Sequence, residues 1–389
     1  MGESITDVAL DAHKKFLQVA MLLPGSDKPI EWQVVHEDAA VRRMAKRILR
    51  EAKGQVRVCY EAGPCGYALQ RTLVKLGLDC VVIAPSLIPV KPGDHIKTDR
   101  RDARKLVELF RAGLLTEVHP PTEGQEAFRD LCRCREDAKE DLLRARHRLG
   151  KMLLRRGIVW REGRNWTESH RTWMRKRSFD HPADKLVFED YLLAVEHLEE
   201  RIRGLESAIA AAAEQEPYRE PVAALRCFSG VDTVTAVTLV AELHDCRRFQ
   251  WPRGLMGYLG LVPSEDSSSD RRRLGSITKA GNSHARRVLV ESAWHYRHPP
   301  RVGKSLSARR KGQPGAVIAI ADKAAQRLHR KFRKLQDRGK AAGKIVVAVA
   351  RELVGFLWAA VYPMSVAKPA ERTARASRMP SWIVPRMPA

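Results

Sequence analysis

The sequence contains little that would place it in or across a membrane. No run approaches the roughly 18 consecutive apolar residues that a bilayer span needs. The opening MGESITDVALDAHKK has no basic segment followed by a long apolar core, so no secretory leader is expected. Disulfide and zinc chemistry are equally poorly provided for. The seven cysteines (Cys59, Cys65, Cys80, Cys132, Cys134, Cys227 and Cys246) are odd in number, scattered, and never spaced as CxxC. Reduced thiols, several of them buried, are expected in a cytoplasmic protein. Negative charge is the scarcest commodity. Only 46 Asp and Glu face 70 Lys and Arg, a formal net charge of +24. A field of that sign concentrates polyanions. The basic residues lie along helices with no lipid anchor, so nucleic acid, not a membrane surface, is the expected partner.

What is present divides into parts. At 389 residues two domains and a connector are expected. Residues 5–10 and 16–22 read as strands around a turn at 11–15. They are followed by a helix at 39–52, a strand at 56–61, a helix at 66–76, a strand at 80–84 and a helix at 99–112. Such alternation predicts an α/β layer with a largely buried sheet. Two heptad-like runs come next. Phe128, Leu131, Ala138, Leu142, Ala145, Leu149 and Met152 form one, and Phe188, Tyr191, Val195, Leu198, Ile202, Leu205 and Ile209 the other. They predict long helices packed as a coiled coil, within the chain or between protomers. Between them, residues 155–177 are rich in Arg and Trp (Trp160, Trp166, Trp173). That segment reads either as a loop anchored by its aromatics or as a basic stacking surface for nucleic acid. The resulting division is 1–122, 123–215, 216–364 and a disordered tail at 365–389.

Four carboxylates stand where a hard divalent ion would need them. Asp11 follows the apolar strand ITDVAL, and Glu61 ends the strand VRVCY. Asp99 and Asp102, three residues apart at a helix start, share one face. Strand ends of an open α/β sheet expose functional groups. Clustered oxygens suit the ions that assist phosphoryl transfer. Singly, each acid also reads as a solvated group or a helix-dipole partner, and Asp99 as an N-cap.

The segments VALDAHKKF, VCYEAGPCGY and IKTDRRDARKLVELFRAG closely resemble the RuvC-like DEDD domain of a family of insertion-sequence transposases. Members of that family join the domain to a C-terminal serine domain and are guided by a bridge RNA. The resemblance implies an α/β RuvC/RNase H-like fold in which Asp11, Glu61, Asp99 and Asp102 bind Mg²⁺ or Mn²⁺. The segment LMGYLGLVPSEDSSSDRRRLGSITKAGNSHARRVLVESAWHYR is similar to the family's C-terminal signature. It implies Ser268 as nucleophile, with Ser267 as the alternative, although Ser269 and Asp270 stand where relatives commonly carry glycine. Arg271, Arg272, Arg273, Lys279, Arg286 and Arg287 are then phosphate contacts; otherwise they are a solvated basic face. Upstream, LRCFSGVDTVTAVTLVAEL reads as helix, glycine turn and helix, a hairpin that can offer backbone N–H groups to a phosphate or simply pack. His284, His295 and His298 lack metal-ligand spacing and read as structural.

The expected protein is therefore a recombinase acting in the bacterial cytoplasm, at the nucleoid. Its expected partners are double-stranded DNA (element junction and target), a structured guide RNA, and further copies of itself as a dimer or tetramer. The two halves of the site lie far apart in sequence, and the heptads favour assembly in trans. The rivals are a structure-specific nuclease that uses water, and a non-catalytic nucleic-acid-binding protein.

Overall fold

Val8, Ala9 and Leu10 have no exposed surface, and a strand buried on both faces belongs in the middle of a sheet covered on two sides. The computed structural model, which describes residues 4–89, 98–266 and 273–364, places it there. Strands β1 (Ile5–Ala12), β2 (Phe16–Leu22), β3 (Ile30–Val35), β4 (Gln55–Glu61), β5 (Asp79–Ile83) and β6 (Glu117–Val118) form one sheet. Its order is β3-β2-β1-β4-β5-β6. β1 runs parallel to β4 and antiparallel to β2. Helices α1 (Asp38–Glu51) and α2 (Ala68–Lys75) cover one face over Val8, Leu10, Val58 and Tyr60. Helix α3 (Asp99–Arg111) covers the other through Ala103, Leu106, Val107 and Phe110, packed on Ala9, Ala20 and Cys59.

Strand parity fixes what faces α3. Side chains alternate along a strand, so with Ala9 and Cys59 on the α3 side, Asp7 and Asp11 of β1 lie there too, as do Arg57 and Glu61 of β4. Asp7 is 2% exposed. Its Oδ1 accepts from Arg57 Nη2 at 2.5 Å, and its Oδ2 from Arg111 Nε at 3.3 Å. Arg111 also donates to the carbonyls of Leu22, Leu23 and Ser26 at 2.6–2.9 Å. At the other end of α3, Arg100 and Arg104 both hold Glu31 of β3.

Two details depart from the expected layout. β1 continues to Ala12, so Asp11 lies within the strand, opposite Gln18, and not at the start of a turn. β3 was not expected, because its alternation is blurred: an edge strand that is half exposed along its length carries little hydrophobic signal.

Residues Met1–Glu126 and Ala127–Ala389 form two compact units. The second contains α4 (Glu123–Arg155) from Ala127 onward, α5 (Glu168–Arg175) and α6 (Pro182–Ala213). Ala138, Leu142 and Ala145 of α4 close on Val195 and Ile202 of α6, and Leu149 and Met152 on Phe188. Arg146 Nη2 bonds Glu199 Oε1 at 2.6 Å, and Arg135–Glu206 and Arg156–Asp184 flank that pair. The two heptad seams thus satisfy one another inside one chain as an antiparallel hairpin, which corrects the argument that they favour assembly in trans. The Arg/Trp segment packs on the hairpin. Trp166 joins its core, Trp173 stacks on the buried His170, and the guanidinium groups of Arg146 and Arg177 cover Trp166 and Trp173. These rings are anchors, with their faces already occupied.

The remaining elements are α7 (Arg219–Leu225), α8 (Thr233–Leu243), α9 (Pro252–Tyr258), a ribbon of β7 (Pro263–Glu265) and β8 (Leu274–Ile277), α10 (Ser283–Ala293), α11 (Lys304–Arg310), α12 (Gly315–Asp337) and α13 (Ala342–Val361). The hairpin read from LRCFSGVDTVTAVTLVAEL is α7–turn–α8. By length and composition alone, α13 is apolar enough to cross a membrane. Here it is the core helix of this unit. Ile345, Val349, Leu353 and Leu357 are buried, and Glu352 pairs with Arg327 and Lys331 of α12.

The Asp7 cluster generates the first prediction. Removing one partner of a buried ion pair costs several kcal/mol, because the remaining charge has been stripped of water. Arg111→Ala should therefore destabilise the full chain by about 3 kcal/mol in urea unfolding. A loss below about 1 kcal/mol, the value of an exposed pair, would show that Arg111 does not hold α3 down.

Candidate metal centre and serine loop

The carboxyl edge of the sheet gathers the acids. In the parallel register Leu10 pairs with Tyr60; the next residue in β4, Glu61, ends that strand, and the next in β1, Asp11, lies one residue before the end of its own. Asp99 opens α3, and Asp102 follows at the spacing that keeps it on the same face as Leu106 and Phe110. Thr98, not Asp99, is the N-cap, its side chain accepting from Arg101 N. Asp99 is thereby left free of capping duty.

The structure adds a residue that the sequence reading passed over. His13 Nε2 lies 3.1 Å from Asp11 Oδ2 and 3.3 Å from Asp99 Oδ1. One ligand atom each from Asp11, His13 and Asp99 lies within 4.8 Å of the others. His13 is positioned by its own backbone: its N–H donates to Phe16 O at 3.0 Å, its carbonyl bonds His36 Nδ1 at 2.7 Å, and its ring packs at 5.0 Å on Phe16. The available signal was the Asp-x-His spacing, which puts both side chains on one side of an extended segment.

Burial pushes the Asp11 carboxyl up from its usual range; His13 opposes this, and the Asp99 and Asp102 charges reinforce it. A divalent cation at this point would supply the missing positive charge. Carboxylate oxygens with one imidazole nitrogen suit a hard ion such as Mg²⁺, and Mn²⁺ still better. The donor set fits a divalent metal. Asp102 acts on Asp11 electrostatically and Glu61 is exposed at the end of β4; the tight cluster itself is Asp11, His13 and Asp99.

In the second unit, Ser267, Ser268, Arg271 and Arg272 lie outside the described residues, as does the 365–389 tail. The flanks are defined. Two glycines interlock on either side of the ribbon. A Cβ on Gly281 (φ +64°) would meet Tyr258 O at 1.9 Å, and one on Gly260 (φ +62°) would meet Ala280 N at 2.4 Å. Only glycine allows that approach. Asn282 caps α10 by accepting from Ala285 N at 2.9 Å, and its Nδ2 donates to Glu242 Oε2 at 2.6 Å. Glu242, 2% exposed, is also held by both arms of Arg133 at 2.8 and 3.0 Å.

Of the basic residues singled out, Arg273 and Lys279 are exposed beside the ribbon. The other two are engaged internally. Arg286 Nη1 donates to the carbonyls of Leu259 and Ala280 at 2.9 and 2.8 Å. Arg287 is shared between Glu136 and Glu291, and Glu136 also bonds His284 Nδ1 at 2.8 Å.

Two family descriptions match the chain: "Transposase", a DEDD group, over residues 8–156, and "Transposase IS116/IS110/IS902 family" over residues 222–305. The transposase-like protein y4qE of Sinorhizobium fredii is 41% identical over 365 residues, spanning 92% of this chain and 90% of its own. The transposase for insertion sequence element IS1533 of Leptospira borgpetersenii is 37% identical over 337 residues, 86% of this chain and 97% of its own. The transposase for insertion sequence element IS1328 of Yersinia enterocolitica is 26% identical over 242 residues, 61% and 70% respectively.

The carboxyl-edge geometry predicts a binding hierarchy. In Mn²⁺ titrations followed by electron paramagnetic resonance, Asp11→Asn and Asp99→Asn should each weaken binding by more than about tenfold, the loss seen when even an outer partner of a metal site is removed. Lys28→Ala, outside the cluster, should leave it unchanged. Wild-type affinity in both aspartate variants would remove the metal from this site.

Proposed function

Because the chain belongs to the IS116/IS110/IS902 family of transposases, we propose that it is a metal-dependent, serine-assisted DNA recombinase. The observation that carries the reading is the convergence of Asp11 and Asp99 with His13 at the carboxyl edge of an α/β sheet. Asp11, Glu61, Asp99 and Asp102 would hold Mg²⁺ or Mn²⁺, with His13 as a further ligand or as the group that orients the two nearest carboxylates. When bound, the ion would supply positive charge to the phosphate under attack.

The chain's own chemistry is assigned to Ser268. Its Oγ bonds phosphorus and the P–O bond to the departing deoxyribose oxygen breaks, leaving a phosphodiester on the serine. The proton lost by the hydroxyl ends on the departing oxygen. Attack by a hydroxyl of the incoming strand reverses these bonds, so phosphodiester energy is conserved through strand exchange. Ser267 is the alternative nucleophile. Arg271, Arg272, Arg273 and Lys279 neutralise neighbouring phosphates, while Arg286 and Arg287 fix the frame on which the serine loop is carried. The partners are the element junction and target duplexes, a structured guide RNA, and further copies of the chain as a dimer or tetramer that holds two DNA segments together. The sequence resemblance supports the guide RNA, and the site of action is the cytoplasm.

Suicide DNA should trap a denaturation-resistant protein–DNA adduct, with peptide mapping placing it within residues 267–269. Ser268→Ala should abolish the adduct while changing DNA affinity less than about twofold, since one hydroxyl adds little beside many phosphate contacts. Loss in Ser267→Ala instead moves the nucleophile by one residue. Cleavage without any adduct in the wild-type protein would show that water, not serine, attacks.

A further inference from the structure

The turn that carries His13 is held by two segments distant from it in sequence. β1 ends at Ala12 and β2 begins at Phe16, so residues 13–15 lie outside the ladder. His36 follows the last rung of the β2–β3 pairing, Phe16 with Val35. Its backbone N–H donates to Lys15 O at 3.0 Å, and its ring Nδ1 donates to His13 O at 2.7 Å. A carbonyl only accepts, so Nδ1 carries a proton. One residue thus bonds both ends of the turn. From the β4–α2 loop, the Cys65 thiol donates to Ala12 O at 3.7 Å. That loop is itself pinned, because the hydroxyl of the fully buried Tyr60 donates to Gly66 O at 2.9 Å. The carbonyls of Ala12 and His13, consecutive in the chain, are both tied to side chains from elsewhere.

The His13 side chain is 42% exposed, and an exposed side chain keeps its rotamer freedom unless something restricts it. The rotamers open to it depend on the backbone beneath. Fixing the His13 peptide therefore narrows where the ring points, and Nε2 lies 3.1 Å from Asp11 Oδ2 and 3.3 Å from Asp99 Oδ1. The nitrogen bears on which ion fits. Mg²⁺ takes oxygen ligands and gives up water reluctantly, whereas a transition ion such as Mn²⁺ gains more from an imidazole.

We propose that His36 is a positioning residue of the metal centre. By fixing the His13 peptide it aims the His13 imidazole at the space between Asp11 and Asp99, and the nitrogen donor so placed makes the centre prefer Mn²⁺ to Mg²⁺. Cys65 steadies the preceding peptide. The inference deepens the metal-dependent recombinase reading and rests on it.

The test uses the full chain, with Mn²⁺ binding followed by electron paramagnetic resonance in the absence and presence of competing Mg²⁺. His36→Ala should weaken Mn²⁺ binding by about tenfold, the lower end of what the loss of an outer partner costs a metal site. Mg²⁺ binding should fall less, so the preference for Mn²⁺ shrinks. Electron spin-echo modulation from a manganese-bound imidazole nitrogen should be present in the wild-type protein and lost in His36→Ala. His36→Asn, whose side-chain amide can still donate to the carbonyl, should restore both. Because His36 acts through His13, adding His36→Ala to His13→Ala should weaken binding no further. Wild-type affinity and modulation in His36→Ala overturn the proposal. An equal fall for both ions also overturns it, as does an additive double variant, since either would mark a merely structural loss. A second arm needs no metal. In the metal-free protein, hydrogen exchange at the His13 amide, which donates to Phe16 O at 3.0 Å, should be faster in His36→Ala than in wild type. If the wild-type protein binds neither ion, the metal reading fails and takes the ion preference with it. The exchange arm then still decides whether His36 holds the His13 turn, and unchanged exchange overturns that hold.

Discussion

The ion pair that matters most in the N-terminal unit contains none of the acids at the carboxyl edge. Asp7 is sealed beneath α3 and is held by Arg57 from the neighbouring strand and Arg111 from the helix. A buried carboxylate tolerates no loose partner, because desolvation leaves an unpaired charge far more costly than a surface one. The C-terminal end of α3 is therefore fixed against β1 and β2. Glu31, with Arg100 and Arg104, fixes the other end. Burial pushes the Glu31 carboxyl up, but the hydrogen bonds of Arg104 and Arg100 outweigh it and hold it below its usual range. Clamped at both ends, the helix can deliver Asp99 and Asp102 only to the strand end where Asp11 stands.

The second unit uses the same device on a different frame. Glu242, buried on α8, is held by Arg133 of α4 and Asn282 at the start of α10. Burial raises its carboxyl, and the bonds from Arg133 and Asn282 more than reverse that. Together with the Gly260 and Gly281 contacts, this network sets where the β7–β8 ribbon leaves and re-enters the helical core.

Much of the N-terminal unit was legible because strands and helices have different periods. The run ITDVAL and its acidic successor, VRVCY and Glu61, and the three-residue step from Asp99 to Asp102 all carry that signal. His13 was missed because a histidine inside the polar AHKK segment looks like turn chemistry. Its role depends on how far β1 continues and on where α3 lands, and neither is local information. The heptads marked the two long helices but not their partner, since an apolar seam reads identically whichever helix fills it. Arg286 and Arg287 illustrate the same limit. A basic pair on a helix looks like a phosphate contact until the carbonyls of Leu259 and Ala280 and the carboxylate of Glu136 are found around it. The tryptophans of the hairpin insert likewise gave no clue that they pack on the hairpin, because aromatic anchors and stacking platforms share one composition.

The central claim is that one divalent ion binds at the carboxyl edge of β1 under the start of α3. Loading the wild-type protein with Fe²⁺ in place of Mg²⁺ and generating hydroxyl radicals with ascorbate and peroxide would cut the backbone only near the bound ion. The account predicts cuts around residues 11–13, 61 and 99–102, suppressed by excess Mg²⁺. Cuts confined to other segments, or cuts at these positions that Mg²⁺ does not suppress, would contradict it.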